Sequence, residues 1–375
     1  MKQLNATPFR RAGASLRRLS LGLLLGTLAV TACTDHTDMP SPGQSIRPAG
    51  PAPDYAPSID PQNLALLEEL QRLNPTPLWQ LSPQDARTKP TVKDAVNSLL
   101  AKNGIMPPMR PVDVSEISVP GAGGTMIRAL VYKPRNQTGP LPVIVYYHGG
   151  GWVIASPDVY EASTKALADK VGALVVSVAY RQAPEHKFPT AHDDAYEAYK
   201  WVRNNAASLG GNPNKVAVAG ESAGGNMAVT VAFRSRDAGF PMPLHILSVY
   251  PVANNDLNTP SYIQYQNAKP LDKPLVEWFV DKYFNTPADG DSPYISLVDV
   301  ANLSGLPPTT IIGAQIDPLQ TEGKQLADKL QSLGVPVTYT LYEGVTHEFF
   351  GADALLPKAA EAQDLAAARL RQAFQ

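Results

Sequence analysis

The sequence predicts an α/β fold whose central sheet is mostly parallel and covered by helices on both faces. Three observations lead there. Short apolar runs without polar alternation, such as residues 216–219, recur along the chain, as expected of strands buried on both sides. Stretches of helical period alternate with those runs over most of the length, the pattern of parallel strands joined by crossover helices. The chain has 375 residues, 44% of them hydrophobic, enough for one large α/β domain or two small ones.

The first 32 residues stand apart. Lys2, Arg10, Arg11, Arg17 and Arg18 precede a Leu/Gly/Ala run over 19–30, a charged region followed by an apolar one, as in an export signal. That run is shorter than the roughly 20 apolar residues needed to span a bilayer. It ends in Leu28-Ala-Val-Thr-Ala-Cys33, which resembles the lipobox of bacterial lipoproteins. The resemblance implies cleavage after residue 32 and acylation of Cys33, with Thr34 in place of aspartate favouring the outer membrane. The expectation is therefore an exported protein, lipid-anchored through Cys33 at the outer membrane or cell surface. More than one acyl chain would make that anchor stable. Cys33 is the only cysteine, so no internal disulfide can form. Without residues 1–32 the balance is 27 basic against 34 acidic residues, which gives no reason to expect nucleic-acid binding.

Residues 33–57 are rich in Pro, Ser, Gly and Ala and read as a tether; the folded domain is expected over 58–375. Leu64, Leu67, Leu70 and Leu73 mark a helix over 60–73, with Asp60 as N-cap and Pro61 in the first turn. A second helix is expected over 90–101, before the break at Gly104 and Pro107-Pro108. Strands over 112–119 and 126–133 flank Pro120-Gly-Ala-Gly-Gly124, a hairpin turn. No helix follows those glycines, so they are not a dinucleotide loop. Alternation then begins. Strands are expected over 142–147, 174–180, 216–219, 244–250, 309–313 and 337–342. Helices are expected over 159–171, 191–205, from Ala223 onward, and over 319–333 and 355–373. An insertion over 254–306, with a helix at 274–284, interrupts the order.

The chemistry centres on Gly220-Glu-Ser222-Ala-Gly224, a G-x-S-x-G pattern between a buried strand and a helix. Such a turn lifts the serine Oγ above the sheet. Acyl transfer also needs a base, an acid to orient it, and donors for an oxyanion. On a sheet of this kind all must come from loops at the carboxyl ends of strands. Among six histidines, His347 follows the last strand on a loop. His36, His148, His186, His192 and His245 lie in the tether, before glycines, in a loop, at a helix start and at a strand start. For the acid, Asp317 directly follows a strand, precedes Pro318 and stands between Ser222 and His347 in chain order; Asp256, on another post-strand loop, competes. Asp193 and Asp194 sit near a helix start, where carboxylates usually serve the helix dipole. His148-Gly-Gly-Gly-Trp152 follows a strand, and its glycines leave backbone N–H groups free to face a carbonyl oxygen.

Taken in order, His148-Gly-Gly-Gly-Trp152, Tyr180-Arg-Gln-Ala-Pro-Glu-His186, Gly220-Glu-Ser-Ala-Gly-Gly225, Asp317-Pro-Leu and His347-Glu-Phe349 resemble the hormone-sensitive-lipase family of α/β-hydrolases, the bacterial family IV esterases. The resemblance implies an α/β-hydrolase fold with a helical cap from about 58–110 and 254–306. It implies a triad of Ser222, Asp317 and His347 and an oxyanion hole from the amides of Gly150, Gly151 and Ala223. The sequence carries no metal-ligand cluster, phosphate loop or basic patch, so no metal and no cofactor are expected. The expected activity is a serine carboxylesterase acting on a small-molecule ester with a short to medium acyl chain. The same triad could serve a deacetylase or amidase acting on acetylated glycans or aryl amides. A non-catalytic ligand-binding protein is the alternative from another class.

Several positions depart from the family pattern: Ala179 for aspartate, Gln182 for leucine, Gln320-Thr321 for Arg-Asp, Glu348 for glycine, and Glu221 for aspartate or threonine. The two glutamates, beside nucleophile and base, are expected to keep His347 more basic. Tyr262, Tyr265, Trp278, Phe279, Phe284, Leu78 and Trp79 are expected either to line an acyl pocket or to fill the cap core.

Overall fold

The computed structural model describes residues 46–375. The expected signal peptide, Cys33 and the first part of the tether lie outside the described residues. The strands are β1 (Val112–Pro120), β2 (Met126–Pro134), β3 (Leu141–Tyr147), β4 (Leu174–Val178), β5 (Gly211–Glu221), β6 (Ile246–Val249), β7 (Thr309–Ile316) and β8 (Val337–Thr346). They form one sheet in the order β1-β2-β4-β3-β5-β6-β7-β8. The β1–β2 and β2–β4 pairings are antiparallel and the remaining ones parallel.

The helices are α1 (Pro61–Leu73), α2 (Pro83–Ala86), α3 (Val92–Lys102), α4 (Glu161–Val171), α5 (Thr190–Asn205), α6 (Ala223–Asp237), α7 (Pro260–Gln264), α8 (Lys273–Tyr283), α9 (Gln320–Ser332) and α10 (Pro357–Ala373). Side-chain alternation along β3 shows how the layers arise. Val143, Val145 and Tyr147 join a core with α5, α6 and α9, while Ile144 and Tyr146 join a core with α1, α3, α4 and α10. Both faces are dry, so the strand needs no polar alternation.

Element boundaries differ from the sequence reading where the apolar signal fades. β8 runs on to Thr346, past Glu343 and Gly344, a charged residue and a glycine that interrupt the strand-forming pattern of its first six residues. β4 stops at Val178, two residues early, and Tyr180 turns instead to contact the loop after β3. Residues 46–57 depart from the reading of a tether that ends at 57. Ile46 and Ala56 are buried, and the amides of Ala49 and Gly50 donate to the Glu68 carboxylate. The folded body thus includes residue 46, because α1 offers both an apolar seat and a charged acceptor to a chain with few competing contacts of its own.

Candidate active site

β5 leads into Ser222, which takes φ +56° and ψ −119°, a conformation disfavoured for any side chain. Hydrogen bonds hold it there: the Ser222 amide donates to the Val249 carbonyl at 2.9 Å, and its own carbonyl accepts from Asn226 at 3.1 Å. Gly224 explains the motif's second glycine. A Cβ there would stand 1.9 Å from the Tyr147 carbonyl oxygen, so the turn closes only without one.

The loop after β3 is pinned from several sides. His148 stacks on Tyr180 with ring centroids 4.3 Å apart, and burial pulls its pKa down to about 4. It is therefore a neutral prop at ordinary pH. The Tyr180 hydroxyl donates to the His148 carbonyl at 2.9 Å. The Gln182 side-chain amide donates to the carbonyls of Ile154 and Ala155 at 2.7 and 3.0 Å. A leucine, the family's usual residue at this position, could make neither bond. Arg87, from just after α2, donates to the carbonyls of Val153 and Ala183 and pairs with Glu185. Arg87 carried no recognisable pattern in the sequence.

Among the described residues, the amides of Gly150 and Gly151 donate to no backbone acceptor. The Ala223 amide opens α6, where the first N–H groups lack intrahelical partners.

His347 follows β8. Its Nδ1 lies 2.7 Å from Asp317 Oδ2, and both side chains are buried. Asp317 Oδ1 accepts from the Leu319 amide at 2.9 Å, which fixes the carboxylate from its other side. Asp256 is exposed and caps the amide of Asn258, so the competing acid stands away from the histidine. The other described histidines have different roles: His192 bonds Asn226 and Tyr283, His245 bonds Thr310, and His186 is exposed. Asp194 is a buried ion-pair partner of Arg181 and accepts from the Ala122 amide, rather than serving a helix terminus.

Behind the pair lies a buried network of two carboxylates and three tyrosines. Glu221 accepts from the hydroxyls of Tyr146 and Tyr250, and Glu348 from that of Tyr160. Burial, then the nearby Glu348 charge, raises Glu221 to about 7. Burial likewise raises Glu348. Glu348 has φ +67°, a conformation that favours glycine, so this position suits the family's usual glycine and is strained for the glutamate that stands here. His347 feels opposing influences. Burial disfavours its charged form, but Asp317, then Glu348 and Glu221, outweigh it and raise its pKa. This is the direction expected from the two glutamates.

Ser222, His347, Gly150 and Gly151 line one cavity of about 600 Å³. Leu78, Trp79 and Phe279 also line it, whereas Tyr265 and Trp278 pack in the surrounding core. Tyr262 and Phe284 line a second cavity of about 550 Å³ that also reaches Ser222 and Gly151. Phe279 borders both; a Cβ on Gly151 would stand 2.2 Å from its ring. Among the described residues no three His, Cys, Asp or Glu side chains converge as a metal site would require.

Residues 144–351 match the family described as the alpha/beta hydrolase fold. The chain belongs to the α/β-hydrolases. Within that family it is 38% identical, over 275 residues, to the carboxylesterase NlhH of Mycobacterium tuberculosis, covering 72% of this chain and 85% of that one. It is 31% identical to an ethyl acetate hydrolase of Pseudomonas putida, covering 70% and 83%. An esterase of Pyrobaculum calidifontis superposes with a TM-score of 0.74 at 38% identity, over 84% of this α/β-hydrolase and all of that chain.

Proposed function

We propose that this carboxylic ester hydrolase is a serine esterase of the hormone-sensitive-lipase type, acting on short- to medium-chain acyl esters. The observation that carries the reading is the shared cavity: Ser222 meets there a histidine already oriented by a buried carboxylate. In this mechanism His347 Nε2 takes the Ser222 proton as Oγ attacks the ester carbonyl. Asp317 keeps the proton on Nδ1 and stabilises the imidazolium. The amides of Gly150, Gly151 and Ala223 receive the oxyanion, each donor being worth about 2.7–4 kcal/mol in the transition state. His347 returns its proton to the leaving alcohol. Water, activated by the same histidine, then releases the acid and frees Ser222. The apolar lining from Leu78, Trp79 and Phe279 supports an acyl chain rather than a sugar. Hydrolysis of p-nitrophenyl esters from acetate to palmitate, with Ser222→Ala alongside, tests this. Activity abolished by the substitution is expected; activity that survives it, or none on any ester, would remove the reading.

We also propose that the protein is exported and held at a membrane by acylation of Cys33. The support is the sequence: an apolar run after five basic residues, ending in a lipobox-like Leu-Ala-Val-Thr-Ala-Cys. Detergent phase partitioning would move from the detergent to the aqueous phase in Cys33→Ser. Partition that does not change would remove the anchor.

A further inference from the structure

Residues 46–56 cross the rim of the larger cavity as a strap held at both ends. At one end Ile46 is only 3% exposed and packs in the cluster that contains Leu66, Val96 and Leu99. At the other, Ala56 joins Ile59, Leu64, Leu67, Tyr265 and Ile316. Between these anchors the Glu68 carboxylate accepts from the amides of Ala49 and Gly50 at 2.7 and 2.8 Å. Pro51 and Pro53 have fixed φ and no amide hydrogen, so this stretch keeps its shape without a partner strand. Pro51, Pro53 and Tyr55 line the same cavity as Ser222 and His347, next to Leu64 and Leu67. A spacer with no further task would need neither a buried anchor at each end nor a carboxylate clasp in between.

We propose that the strap is part of the substrate site, with Pro51, Pro53 and Tyr55 supplying apolar surface that recognises the far part of a medium-length acyl chain. This rests on the esterase reading above. An acetyl group on Ser222 occupies only a small part of a 600 Å³ cavity and leaves most of its apolar lining untouched. A decanoyl chain extends along the apolar wall. Withdrawing two methylenes from such a wall lowers kcat/KM roughly tenfold.

The test compares kcat/KM for p-nitrophenyl decanoate and acetate in the full chain, expressed as a ratio so that any loss of folded protein cancels. Tyr55→Ala removes part of the wall, Ile46→Asp removes an anchor outside the cavity, and Tyr55→Phe keeps the ring. The decanoate-to-acetate ratio is expected to fall about five- to tenfold in the first two, through KM, and to stay within about twofold in the third. If Ile46→Asp does not fold, Tyr55→Ala decides alone. A ratio that is unchanged or raised in Tyr55→Ala overturns the role of the strap. A parent protein without Ser222-dependent acetate hydrolysis overturns instead the esterase reading on which it rests.

Discussion

The floor of the cavity is made of backbone at strand ends, whereas its roof is made of side chains from α8, the 3₁₀ turn at Leu78–Gln80 and the strap. On the floor, positions are set by close approaches that tolerate no extra atom, such as Gly224 against the Tyr147 carbonyl. In the roof, Phe279, Trp79 and Tyr55 present rings whose size can change while the backbone stays where it is. The contrast teaches a division of labour. Chemistry depends on the part that cannot relax, and substrate choice on the part that can.

Substitutions can break this contrast or sharpen it. Ser222→Ala should lower kcat by at least about 10⁴-fold with little change in melting temperature, since the residual rate comes from the oxyanion donors and binding alone. Asp317→Asn should cost somewhat less, about 10³- to 10⁴-fold in kcat, because the imidazole loses its tautomer rather than the nucleophile its base. Gly224→Ala should destabilise the protein by at least about 3 kcal/mol in denaturant unfolding, the backbone clash having nowhere to go. Phe279→Leu, in the roof, should leave kcat on acetate within about tenfold. It should raise relative activity on esters of branched alcohols, because the ring separates the two cavities that meet at Ser222. A roof substitution that abolished acetate hydrolysis, or a floor substitution that altered only selectivity, would erase the distinction.

The smallest expected effect concerns the buried glutamates. Because Glu348 and Glu221 help to raise the His347 pKa, replacing both with glutamine should move the acidic limb of the kcat/KM–pH profile to lower pH, with the plateau largely kept. An unmoved limb would dismiss their influence. Stability should respond as well. The folded-state pKa of Glu221 is raised to about 7, so the folded protein holds this proton more tightly than the unfolded chain. Its contribution is complete below the ordinary carboxylate range and is lost as pH rises towards 7. Urea unfolding at pH 5 and pH 8 should therefore show Glu221→Gln gaining on the parent at the higher pH, by an amount on the order of 2–3 kcal/mol.

Much of the floor was legible in the sequence because it is local. The strand-turn-helix at Ser222, the glycines after β3 and the acid after β7 each occupy a few consecutive residues, and each obeys a steric rule visible in residue type. Competition between Asp317 and Asp256 was not local, since only packing brings one of them 2.7 Å from His347. The tyrosines that hold Glu221 and Glu348 lie 29 to 188 residues from their partners, so no window of sequence contains the network. The strap escaped for a different reason. Composition rich in Pro, Ser and Gly describes what a segment cannot build alone, and says nothing about a seat prepared for it by α1 and α3.

The strap also gives the molecule an orientation for attachment. A support joined at Ile46 is joined within five residues of Pro51, which lines the cavity. The opposite terminus behaves differently: the Phe374 carbonyl accepts a hydrogen bond from Lys215, near the start of the apolar run of β5. Seven residue steps of extended chain lead from Lys215 to Ser222, about 23 Å along the strand. Attachment through Gln375 would hold the molecule by the end of β5 away from Ser222, whereas attachment at Ile46 would hold it beside the wall that Pro51, Pro53 and Tyr55 give the cavity.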